Sequence, residues 1–89
     1  MLTDNTLLRL RPGYRLQWET RQDSWVLLFP EGMITLNASA AMILECFRQP
    51  AAIGAVIEDL EARFPGQPVR DDVLEFLRDA HEQQWLTPA

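Results

Sequence analysis

Residues 25–37 read Trp25-Val26-Leu27-Leu28-Phe29-Pro30-Glu31-Gly32-Met33-Ile34-Thr35-Leu36-Asn37, and the fold class turns on them. The first five form a continuous apolar run, too short for a good helix and rich in strand formers. Pro30 presets its φ and Gly32 supplies the freedom that a reversal needs, so Met33 to Leu36 returns as a second short strand. Asn37 is a preferred helix N-cap, and Ala38, Ala40, Ala41, Met42, Leu44 and Glu45 behind it are helix formers. The chain therefore passes from strands to helices at Asn37.

Upstream, Tyr14, Leu16 and Trp18 alternate with Arg15, Gln17 and Glu19, the period-2 pattern of a strand with one buried face. A strand is expected over residues 14–19, joined to the apolar run by the polar turn Thr20 to Asp23. Downstream, the first helix is expected to reach about Arg48, ahead of Pro50. Ile53, Val56, Ile57, Leu60 and Phe64 fall on one face of a second helix that ends before Pro65 and Gly66. A third helix opens within Pro68 to Asp72, with Asp72 and Glu75 as a capping box, and runs to about Gln84. Val73, Phe76, Leu77 and Ala80 are its apolar stripe. Trp85 and Leu86 are expected to fold back onto the sheet or the helix. Strands and helices segregate along the chain, which predicts an α+β fold, winged-helix-like, with a three-stranded antiparallel meander followed by three helices.

The 89 residues, 47% apolar and 24% charged, fit a single domain over residues 1–89, with residues 1–6 and 87–89 expected as loose tails. A chain of this size buries only roughly 60% of its unfolded surface, which favours a binder over a deep active site. The eight basic residues are all arginine and the net charge is −5, opposite in sign to a typical nucleic-acid or anionic-membrane binder. One cysteine, Cys46, excludes an intrachain disulfide and a multi-cysteine metal site, so a reducing cytoplasm is the expected setting. No signal peptide and no membrane-length apolar run is present.

Little in the chain suggests catalysis. His81 is the only histidine and has no cysteine at metal-ligand spacing. Cys46 sits beside Leu44 and Phe47 in an alanine-rich helix, where cysteine behaves as a small apolar group. A small enzyme pairing Cys46 with His81 is the weaker rival. The four glycines are isolated, so there is no phosphate loop, dinucleotide fingerprint or other sign of a cofactor. In a winged-helix DNA-binding regulator the third helix would enter the major groove. Here Asp71, Asp72, Glu75, Asp79 and Glu82 outnumber Arg70 and Arg78, so phosphate repulsion opposes that use. A short edge strand at Met33 to Leu36 would instead offer unpaired backbone groups to an extended peptide, or to a second copy of the chain in a homodimer that competes with the peptide.

The run Arg9-Leu10-Arg11-Pro12-Gly13-Tyr14-Arg15-Leu16-Gln17-Trp18-Glu19 resembles the opening of the PqqD family of pyrroloquinoline quinone biosynthesis proteins. The likeness continues through Val26 to Met33, Leu36-Asn37, Ser39-Ala40 and Ile43-Leu44, then Asp71 to Leu74, Phe76-Leu77 and Trp85-Leu86. The resemblance implies a non-catalytic precursor-peptide binder of the RiPP recognition element type, without a cofactor. It implies two partners: a PqqA-type precursor peptide and the radical SAM enzyme PqqE, which cross-links a glutamate and a tyrosine within that peptide. It also implies that the bound segment lies as an added strand between the third strand and the third helix. The groove so implied is Met33, Ile34, Thr35 and Leu36 on the strand and Val73, Leu74, Leu77, Arg78 and His81 on the helix. Helical spacing allows only part of Val73, Leu74 and Leu77 on one face, so their division between groove and core rests with the fold. The resemblance also requires an enzyme-contact surface, for which Arg11, Arg15 or the acids of the third helix are candidates.

Overall fold

The computed structural model describes residues 2–89. The elements in order are β1 (Leu7–Leu10), β2 (Arg15–Glu19), β3 (Ser24–Phe29), β4 (Gly32–Leu36), α1 (Ala38–Glu45), β5 (Ala51–Ala52), α2 (Ile53–Arg63), α3 (Val69–Glu82) and β6 (Leu86–Pro88). The expected meander is β2-β3-β4, antiparallel throughout, with Trp18 opposite Trp25 and Trp25 opposite Leu36. Its inner face carries Leu16, Leu27 and Leu36 into the core. Two aromatic pairs extend that face: Tyr14 stacks on Phe29 at 5.3 Å, and Trp18 meets Trp25 edge-on at 5.6 Å. Val26 points the other way and is nonetheless fully buried, flanked by Gln17 and Thr35 across the two ladders.

A second sheet, ordered β5-β1-β6, was not expected. Its centre is β1, where Leu8 and Leu10 are buried and Leu7 and Arg9 exposed. The alternation was present in the sequence, but Leu7 blurs it into an apolar cluster. The two-residue β5 and three-residue β6 are defined by pairing with β1, Leu8 against Ala51 and Leu10 against Leu86, and so leave no periodic signal of their own. This pairing corrects the expectation of a loose C-terminal tail, since Thr87 and Pro88 are opposite Arg9 and Leu8 and the Ala89 N–H donates to the Leu7 carbonyl. At the other end, Asp4 bridges Arg70 through two hydrogen bonds of 3.0 Å and accepts from the Gly54 N–H. Met1, the start of the expected N-terminal tail, lies outside the described residues.

The three helices are those the spacing predicts, with differences at their ends. Asn37 caps α1, its side chain accepting from the Ala40 N–H at 2.7 Å. That helix stops at Glu45, short of Arg48, because Phe47 is fully buried and the chain must turn inward to place it. Three successive i→i+3 bonds, from Cys46, Phe47 and Arg48, tighten the exit, and the Phe47 carbonyl then accepts from Leu10 of β1. In α3 the expected capping box is absent. Pro68 is the N-cap, without a side-chain bond, and Asp71 and Asp72 lie inside the first turn, where their charge favours the helix dipole. The helix ends at Glu82, two residues before Gln84. Trp85 then turns back beside Phe76, 6.5 Å between rings, and Leu86 enters the core.

Candidate functional site

The open edge of β4 is where backbone groups await a partner. In an antiparallel sheet each residue of a central strand directs both its N–H and its C=O toward one neighbour, and successive residues alternate. The two-residue connection Pro30-Glu31 makes Phe29 and Gly32, the pair that flanks it, a hydrogen-bonded pair. Counting from that pair, Gly32, Ile34 and Leu36 bond to β3, whereas Met33 and Thr35 direct their backbone groups outward. The opposite edge obeys the same count. There Leu16 and Trp18 of β2 face outward, and the Leu16 carbonyl accepts from Arg48 Nη2 at 3.0 Å. Among the described residues both edges of the sheet lack a neighbouring strand, but at β2 an arginine takes one of the outward carbonyls.

The nine residues expected to line a groove divide into three groups. Met33 and Thr35 offer backbone at the open edge, with side chains on the outer, exposed face; Thr35 Oγ1 donates to Gln22 Oε1 at 3.2 Å. Leu36, Val73 and Leu77 are buried in the core, at 7%, 3% and 0% exposure. Ile34 and Leu74 are half-buried against that core, and Arg78 and His81 are exposed.

The helix residues expected in the groove do not share one face of α3. At about 100° per residue, Arg70, Leu74, Arg78 and His81 share one flank of α3 and Asp72, Phe76 and Asp79 the other. Arg70 is tied to Asp4 ahead of β1, so its flank faces the N-terminal segment. Asp72 and Val73 line a cleft with Ser39, Met42 and Ile43 of α1, and α1 follows β4 directly through Asn37. The Asp72 flank is therefore on the side of α3 that faces α1. Phe76, half-buried beside Trp85, lies on that flank and outside the implied set of groove residues.

Two acidic groups elsewhere in the molecule are shifted by their surroundings. Hydrogen bonding from Arg70 holds the Asp4 carboxyl below its usual range. Burial pushes the Cys46 thiol up, and its Sγ lies 3.4 Å from the Met42 carbonyl that it donates to. Among the described residues no cluster of three or more His, Cys, Asp or Glu is placed to hold a metal ion, and no helix is long and apolar enough to cross a membrane.

Comparison with known proteins bears on this geometry. Residues 24–86 match the family model for coenzyme PQQ synthesis protein D (PqqD). A PqqA binding protein of Kluyvera intermedia is 48% identical over 86 residues, covering 96% of this chain and 94% of the relative. One from Azotobacter vinelandii is 46% identical over 85 residues, covering 94% and 92%. In three dimensions the chain is similar to the solution NMR structure of the PqqD truncation of Methylobacterium extorquens PqqCD, described as a functional and stand-alone RiPP recognition element. The TM-score is 0.77 at 21% identity, over 98% of this chain and 95% of that one. The shared fold is the mixed α+β arrangement of antiparallel strands and three helices.

Proposed function

Because this chain belongs to the PqqD family of coenzyme PQQ synthesis proteins, we propose that it binds a PqqA-type precursor peptide and presents it to the radical SAM enzyme PqqE for glutamate–tyrosine cross-linking. The peptide joins β4 as an added strand. Met33 and Thr35 supply main-chain bonds, and side chains of the peptide that point inward rest on Ile34 and the Phe76 flank, above Leu36, Val73 and Leu77. The observation that carries this reading is the asymmetry of the β2-β3-β4 sheet, whose β2 edge Arg48 partly occupies and whose β4 edge stands open. That the relatives are PqqA binding proteins supports the ligand.

The chain acts in this reading as a cytoplasmic binder and not as a catalyst. A raised Cys46 thiol is a weak nucleophile, and nothing places His81 to activate it. The DNA-binding alternative is not favoured, because the acids of α3 oppose phosphate. Edge-to-edge pairing of two copies through β4 would compete with the peptide for the same backbone groups.

Calorimetric titration with a synthetic PqqA-type peptide tests the reading, with amide shifts followed in the same samples. The expected result is saturable one-to-one binding that moves the Met33 and Thr35 amides most. Binding whose largest shifts fall on the opposite edge, at Leu16 and Trp18, would refute the β4 site. No binding with or without the enzyme would refute the function, and cross-linking by PqqE that proceeds equally well without this protein would refute presentation.

A further inference from the structure

The arginines of this acidic protein are not evenly spread. Between Asp4 and Glu19 there are three arginines and no acid. The turn Arg11-Pro12-Gly13-Tyr14 folds that stretch back on itself, with the Tyr14 N–H donating to the Arg11 carbonyl at 2.9 Å. Gly13 has φ +91. Proline followed by a residue of positive φ is the requirement of a type II turn, which glycine meets without strain. The turn leads from β1 into β2 and, with the exit of α1, lines a cleft of about 420 Å³. Arg9, Arg11, Arg15 and Arg48 all line it, and no carboxylate does.

Two of these guanidinium groups are held in place without losing their charge to a neighbouring acid inside the cleft. Arg11 Nη1 donates to Gln84 Oε1 at 2.8 Å, and its guanidinium carbon lies 5.5 Å from the centre of the Tyr14 ring. Arg48 donates to the Leu16 carbonyl and pairs at 2.6 Å with Glu45, the last residue of α1. Among the described residues Arg9 and Arg15 have no ion-pair partner, since the other two recorded pairs engage Arg63 and Arg70. Three guanidinium groups without an acidic partner among the described residues, and a fourth paired with Glu45, thus line a concave surface in a chain of net charge −5.

We propose that this cleft binds a carboxylate-bearing segment of a protein partner. Planar guanidinium groups match carboxylates two bonds at a time, and those fixed beforehand lose less freedom on binding. The overall charge selects the kind of partner. A long polyanion or an anionic bilayer would also meet the acids of α2 and α3, whereas a short acidic segment stays within the roughly 8 Å over which the local positive charge prevails at physiological salt. The cleft flanks the β2 edge, across the sheet from β4, so the two sites can be filled together. It is a second site, and its existence does not depend on the identity of the strand bound at β4.

The test uses decaglutamate as probe and 15N-labelled protein in 50 mM salt. The expected result is saturable shifts confined to residues 9–17 and 48–49. Binding should weaken at least fivefold in Arg9→Gln/Arg15→Gln, whose two side chains are exposed and make no hydrogen bonds that the fold needs. Arg21→Gln, outside the cleft, should bind as wild type does. Absence of shifts, undiminished binding by the double variant, or equal weakening by Arg21→Gln would overturn the proposal. Inorganic phosphate producing the same shifts at equal charge would reduce the cleft to an adventitious ion site only, and tighter binding of oligothymidylate than of decaglutamate would reassign it to nucleic acid.

Discussion

Thr35→Pro separates main-chain recognition at β4 from everything else in the molecule. Alternation along the strand directs the Thr35 N–H outward, so proline there removes a donor that β3 does not use. The fold should survive, with loss only of the exposed Thr35–Gln22 hydrogen bond, which Thr35→Val also removes and therefore controls. A bound strand would exchange up to two main-chain bonds with Thr35. Removing one, at about 0.5–1.5 kcal/mol net, weakens binding roughly two- to twelvefold, and the ring adds bulk where the partner strand must approach. Tenfold or more weaker binding of a PqqA-type peptide is therefore expected for Thr35→Pro, and near wild-type binding for Thr35→Val, by calorimetry on variants whose circular dichroism matches wild type. Leu36→Pro should fail differently: its N–H bonds to β3 and its side chain is buried, so that variant should lose its fold. Wild-type affinity in a folded Thr35→Pro would refute strand addition at β4. Unfolding of Thr35→Pro would show that the outward residues are Ile34 and Leu36.

Phe76→Ala should weaken the same peptide severalfold while His81→Ala leaves it unchanged; the reverse order in titrations would put the groove on the other flank of α3. Gly54→Ala should lower the melting temperature, because the added Cβ would stand 2.9 Å from Asp4 Cβ and 3.1 Å from the Asp4 carbonyl oxygen. Any gain in helix propensity is at most about 1 kcal/mol, and hydrogen exchange at the Gly54 amide should accelerate as the Asp4 segment is displaced. Since the Asp4 carboxyl is held below its unfolded value, its stabilising effect is present above the unfolded range and is lost as pH falls through the folded value. The melting temperatures of wild type and Asp4→Asn should accordingly converge below about pH 4. The Cys46 thiol, raised by burial, should react with iodoacetamide at pH 8 more slowly than glutathione does and at a rate independent of His81→Ala. Fast alkylation that requires His81 would revive a catalytic pair.

The meander and the three helices were legible because each is announced locally. Asn37 marks the change from strand to helix, Pro30 and Gly32 mark the hairpin, and the spacing of Ile53 to Leu60 marks the second helix. What escaped was set by distant partners. Ala51 and Ala52 become a strand only because β1 lies beside them, and Thr87 only because Arg9 does. The early end of α1 has the same origin, since Phe47 is drawn into the core and its carbonyl taken by Leu10. The site was half legible for a related reason. Residue pattern identified β4 as an edge, but periodicity alone cannot say how the flanks of α3 are disposed; the tie from Arg70 to Asp4, 66 residues away in sequence, turns one of them to the N-terminal segment.

Arg48 has a consequence for the number of partners the protein can hold. In polymer terms a sheet with two open edges is a monomer of functionality two and propagates, each addition exposing a fresh end. Occupying the Leu16 carbonyl removes one of the outward acceptors that a strand would need at the β2 edge, and so biases the β2-β3-β4 sheet toward a functionality of one. Growth from strand to strand is then disfavoured at β2, and addition is directed to β4.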